Sequence, residues 1–108
     1  MELTPTIKML RDATLRLDKS SKEVFRLAQQ KAETERTYRQ ELAKQIFILR
    51  DERMPATLIP DTARGNVAEL KYNRDLAADL YRSALASMEA LKVEINALQT
   101  ITKYQSDL

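Results

Sequence analysis

Residues that break helices are confined to two places in this chain: Pro5 near its start, and a cluster of Pro55, Pro60 and Gly65 near its middle. With one Gly and three Pro in 108 residues, nothing interrupts helical geometry from Thr6 to Met54 or from Asn66 onward. Ala, Leu, Glu, Lys, Arg and Gln dominate both stretches, and these residues lose least conformational freedom on entering a helix. The expected fold is all-α. It is a long, coiled-coil-like antiparallel helical hairpin in a single domain, with helices over about 5–53 and 67–104 and a turn over 54–66.

Thr4 followed by Pro5 reads as a helix start: the hydroxyl can accept an orphan amide, and Pro at the first helical position gives up a donor that has no partner there. Along the first helix Leu3, Ile7, Leu10, Thr14, Leu17, Ser21, Val24 and Ala28 alternate steps of four and three, the spacing of a stripe that faces a partner helix. The stripe weakens at Lys31 and Glu35 and resumes at Tyr38, Leu42, Ile46 and Leu49. The polar stretch Gln29–Arg36 is either solvated or a place where the partner is lost. Ser20 with Glu23 three residues on has the capping-box pattern. A break near Ser20 is therefore the alternative to one continuous helix.

Pro55 and Pro60 push the residues before them away from helical geometry and mark the turn. Asp61–Gly65 reads as one short helical turn, with Asp61 as its cap and Gly65 in the left-handed closing position; Asn66 with Glu69 then caps the next helix. The second helix has the cleaner stripe: Val67, Leu70, Arg74, Ala77, Tyr81, Ala84, Met88, Leu91, Ile95, Leu98 and Thr102. Counted outward from the turn, it runs out opposite about Arg16, so the first fifteen or so residues overhang or fold back.

The absence of Cys removes disulfides and thiolate chemistry, and the absence of His removes the commonest metal ligand and neutral-pH base. The residue pattern points to no catalytic site and no cofactor. Met1–Pro5 lacks the charged start and apolar run of a secretory signal, and no stretch approaches the roughly 20 apolar residues of a membrane span, so a cytoplasmic protein away from membranes is expected. Eighteen basic and 16 acidic residues are interleaved to a net charge of +2, the pattern of a solvated helical surface more than of a nucleic-acid footprint.

Three groups of residues merit weighing as sites. Arg50, Arg53, Arg64, Lys71 and Arg74 all fall near the hairpin turn, where the start of the second helix also favours an anion; they form the candidate anion- or partner-binding surface. The plainer reading pairs them with Asp51, Glu52, Asp61 and Glu69. Asp75 and Asp79, one helical turn apart, could hold Mg²⁺, but no second acidic set assembles from Glu33, Glu35 and Glu41, and pairing with Lys71, Arg74 and Arg82 is the favoured reading. Tyr38, Tyr81 and Tyr104 could stack on bases, although Tyr38 and Tyr81 sit on the apolar stripes; Tyr72 is the less constrained case.

The segments Tyr38-Arg39, Ala43-Lys44, Leu49–Asn66, Glu69–Asp75 and Asn96–Thr100 together resemble a family of small uncharacterised proteins of tailed phages and prophages of Gram-positive bacteria. The Pro-x-Thr-Leu core and Ala-Arg-Gly ending of the turn are the distinctive part, and the likeness covers about Tyr38 to Tyr104. The chain departs at Met54, where Gly or another small residue is common. The resemblance implies a place in an early gene module beside single-strand annealing recombinases and single-stranded DNA-binding proteins, and a host-cell cytoplasmic location. It carries over no activity and no catalytic residue.

Two helices alone leave part of every seam residue in water, with no disulfide to compensate, while Leu76, Leu80, Leu85 and Ile101 widen the apolar face of the second helix. A homo-oligomer is therefore expected, most simply a dimer of hairpins forming a four-helix bundle, with Tyr81, Met88, Leu91, Ile95 and Leu98 in its seam. The leading function is a non-enzymatic, self-associating accessory or adaptor protein of a phage recombination or replication module. The rivals are a single-stranded DNA-binding module using the basic turn and, third, a magnesium-dependent phosphoryl-acting enzyme.

Overall fold

A computed structural model of the chain describes residues 3–107. Met1 and Glu2, part of the segment read for a secretory signal, lie outside the described residues, as does the side chain of Leu3, the first member of the expected stripe. The described chain is all-α: α1 spans Leu3–Asp51, α2 spans Ile59–Asn66 and α3 spans Ala68–Ser106. It is a long helical hairpin with an additional short helix in its turn. α1 is continuous through Ser20, so the capping-box pattern there is not used as a helix start. Because α1 already begins at Leu3, Pro5 falls inside the first turn, among the amides that have no intrahelical acceptor.

By contacts the chain divides into two units: residues 27–81, which hold the turn, and residues 1–26 with 82–108. In the turn-containing unit, α1 closes through a Schellman arrangement. Arg53 adopts a left-handed φ of 63°, its amide donates to the carbonyl of Arg50 (3.0 Å), and the Met54 amide reaches back to the carbonyl of Leu49 (3.1 Å). Met54 then packs against a small core of Leu49, Ile59 and Ala63, which Leu42 and Ile46 also flank. Pro55 prevents the helix from resuming, and its carbonyl accepts the Leu58 amide (2.9 Å).

α2 differs from the turn expected from sequence. Its N-cap is Leu58, with no side-chain capping bond, and Pro60 occupies its first turn. Asp61 is not the cap; it lies inside that first turn and pairs with Arg64 (3.1 Å). Gly65 is not the left-handed closing residue, since no glycine has positive φ. It sits in the helix, and the chain turns at Val67 (φ −115°, ψ 19°), a conformation open to any residue. Asn66 belongs to the end of α2 and donates from its side-chain amide to Gln45 of α1 (3.1 Å).

In the other unit, the ends of α1 and α3 run antiparallel: Thr6 donates to Gln105 (2.9 Å) and Arg16 bonds Glu94 (2.7 Å). The expected overhang of the first fifteen residues is thus corrected. α2, packed beside Leu42, Ile46 and Leu49, moves the start of α3 away from the end of α1, and α3 continues to Ser106. The buried positions of α1 here are Thr6 and Ala13, with Leu10, Leu17, Ser20 and Val24 half-buried, whereas Ile7, Thr14 and Ser21 are exposed. Every second member of the expected stripe is therefore displaced by one residue. The seam takes the small side chains of Thr6, Ala13 and Ser20 at those places and leaves the larger Ile7 outside.

Candidate functional site

Within the turn-containing unit, the polar middle of α1 is paired with α3. Arg74 lies half-buried between the helices with its guanidinium 4.3 Å from the centre of the Tyr38 ring, and Tyr38 is itself buried. The same guanidinium bonds Asp75 (3.0 Å) and stands 3.5 Å from Glu35, which in turn accepts from Arg39 (2.6 Å). The hydrogen bond to Asp75 raises the pKa of Arg74 against the opposing effect of burial. The Lys31 ammonium stands over the Tyr81 ring at 5.2 Å. Two ring-stacked cations thus carry the seam through positions where the apolar stripe weakens.

Between these stacks lies a groove of about 490 Å³, lined by Ala28, Lys31, Ala32 and Glu35 of α1 and by Arg74, Ala78 and Tyr81 of α3. Its apolar floor comes from alanines that leave the space unfilled, while its polar groups sit on the long side chains. Sequence reasoning missed this groove. The signal available for it was small residues one turn apart, Ala28 at the edge of the polar stretch and Ala32 within it, matched by Ala77-Ala78 on the second helix.

The five basic residues singled out near the turn fall into three groups. Arg74 is engaged by Tyr38, Asp75 and Glu35. Arg64 is exposed and already bonds Asp61. Arg50, in the last turn of α1, and Arg53 and Lys71 are exposed. The structure does not gather the five around one concavity; the groove takes Arg74 alone of them.

Asp75 is held by Arg74, and no group of three or more acidic, His or Cys side chains among the described residues is arranged as a metal site. Of the tyrosines, Tyr38 and Tyr81 are engaged by cations, whereas Tyr72 and Tyr104 are exposed, at 60% and 72%. Tyr81 lines the groove; Met88, Leu91 and Ile95 are half-buried and Leu98 is buried. No helix among the described residues is long and apolar enough to cross a membrane. Compared with protein-family models, with curated proteins and with solved structures, the chain finds no significant match in any of the three.

Proposed function

We propose that the protein is a non-enzymatic, self-associating helical accessory protein, with a dimer of hairpins as its simplest form. The observation that carries this reading is the amount of large apolar surface left in water. Phe25, Leu15 and Val93 in one unit are 67%, 59% and 67% exposed, and Phe47, Leu76 and Leu80 in the other are 71%, 43% and 44% exposed. Leu76 and Leu80 stand one helical turn apart on α3, and covering large apolar side chains such as these adds burial to offset the conformational entropy of ordering long helices. The resemblance to small phage proteins supplies the setting, an accessory or adaptor role beside recombination or replication proteins in the host cytoplasm.

Sedimentation equilibrium tests the reading directly. The expected mass is at least twice the 12.4 kDa of the chain, with a melting temperature that falls on dilution. A protein that remains monomeric and cooperatively folded at high micromolar concentration overturns it.

A second reading, single-stranded DNA binding at the turn, is favoured by the exposure of Arg50, Arg53 and Lys71. Its test is the salt dependence of affinity. Replacing Arg50, Arg53 and Arg64 together by Gln weakens binding and flattens the slope if the turn contacts phosphates, and changes nothing if it does not.

A further inference from the structure

We infer that the groove on α1 and α3 binds a small planar aromatic carboxylate, with its ring over the alanine floor and its carboxylate on Lys31. The inference goes beyond self-association and does not rest on it. Every residue lining the groove belongs to the turn-containing unit, so the site is complete within that unit.

Charge decides the class of ligand. Lys31 stands four residues before Glu35, the spacing of an ordinary helical ion pair. Glu35, however, is engaged by Arg39 at 2.6 Å and by Arg74 at 3.5 Å, and Arg74 also holds Asp75. Lys31 is left with the Tyr81 ring, at 5.2 Å, and among the described residues it has no carboxylate partner. The two carboxylates of this cluster thus answer its two arginines, and the Lys31 charge is uncompensated. A single positive charge suits a monoanion; a phosphate dianion would also meet the repulsion of Glu35 and Asp75.

Shape decides the body of the ligand. The volume of about 490 Å³ lies within the range of small-molecule sites. Ala28, Ala32 and Ala78 give a low apolar floor, and Ala28 and Glu35 stand about 10 Å apart along the helix axis, the length of two fused rings with a carboxylate. The Arg74 guanidinium has Tyr38 on one face and also lines the groove, so a flat ring can lie against a cation there. An aliphatic acid of the same length would cover the floor but forgo that contact.

The test is isothermal titration calorimetry with β-naphthoate, with its uncharged amide β-naphthamide for comparison and circular dichroism to confirm that each variant stays helical. Naphthoate is expected to bind saturably and about fivefold more tightly than the amide. Lys31→Gln, at an exposed position, is expected to remove that preference. Ala32→Leu, also exposed, is expected to abolish binding of both compounds by filling the floor, while Leu76→Gln, at an exposed apolar position outside the groove, leaves both affinities unchanged. No saturable binding by the wild type, undiminished binding by Ala32→Leu, or loss of binding in Leu76→Gln overturns the site; a preference for naphthoate that survives Lys31→Gln overturns the part given to that residue. If naphthoate does not bind and Ala32→Leu instead disrupts self-association in sedimentation, a second copy covers the groove, and the ligand reading falls while self-association stands.

Discussion

Arg53 carries the left-handed conformation that closes α1, while Gly65, the one glycine of the chain, sits in helical geometry that needs no glycine. The residue best suited to positive φ and the position that demands it are thus separate. A side chain in this conformation brings its Cβ close to the following carbonyl. Replacing Arg53 by Gly is therefore expected to stabilise the protein by about 0.5–1 kcal/mol, the relief being partly offset by the greater freedom of Gly in the unfolded chain. Thermal melts at fixed protein concentration check it; a lower melting temperature would contradict the arrangement described for residues 50–54.

Gly65→Ala should also stabilise. A Cβ built at Gly65 meets nothing within 4 Å, and a helical Gly costs roughly 0.5–1 kcal/mol relative to Ala. The expected result is a melting temperature higher by a few degrees. A loss of stability would restore Gly65 to the closing role expected from sequence.

The Arg74 side chain is 25% exposed, and its stack on Tyr38 requires a planar cation. Lysine keeps the charge but loses the plane and the forked donors. Arg74→Lys is expected to destabilise by about 1 kcal/mol. In a double-mutant cycle with Tyr38→Leu, a coupling of at least about 0.5 kcal/mol is expected; additivity would mean that the stack contributes nothing.

Glu23 accepts a hydrogen bond from Arg26 (2.9 Å), and that bond holds its carboxyl below the usual Glu range against the opposing effect of desolvation. A depressed folded-state pKa stabilises the fold above the unfolded-state value, and the contribution is lost as pH falls through the folded-state value. Carbon-detected NMR titration should place the Glu23 midpoint below those of unpaired glutamates, and Arg26→Gln should return it to the ordinary range. Both groups are solvent-exposed, so added salt should shrink the difference.

The α3 seam was legible because Leu70, Tyr81, Met88, Leu91, Ile95 and Leu98 are large and apolar where the helices meet, and all are at least half-buried. The α1 seam was half legible. The apolar pattern picks out Leu10, Leu17 and Val24, but it selects Ile7, Thr14 and Ser21 in place of Thr6, Ala13 and Ser20, because adjacent positions of similar size or a more apolar neighbour leave the pattern ambiguous by one residue. The turn was located by its prolines, yet its closing residue could not be, because the strain at Arg53 is set by bonds from 53 to 50 and from 54 to 49 and not by residue type. Arg74 was placed on the stripe of the second helix; that Tyr38 lies beneath it depends on the register between helices, which α2 alters.

The insertion of α2 beside the end of α1 also bears on the order in which the hairpin assembles. Contacts within the turn-containing unit close short segments: Asn66 and Gln45 are 21 residues apart, and Leu49 meets Ile59 across an even shorter interval. Thr6 and Gln105 are 99 residues apart. Forming the distant contact first would close the whole chain as one loop, whereas forming it after the turn requires only that two growing helices continue to meet. Folding is therefore expected to begin around α2 and to proceed towards the termini, each later contact closing only a short additional loop. The opposite sequence governs opening: the amides around Thr6 and Gln105 exchange with solvent first, and those around Leu49 and Ala63 last.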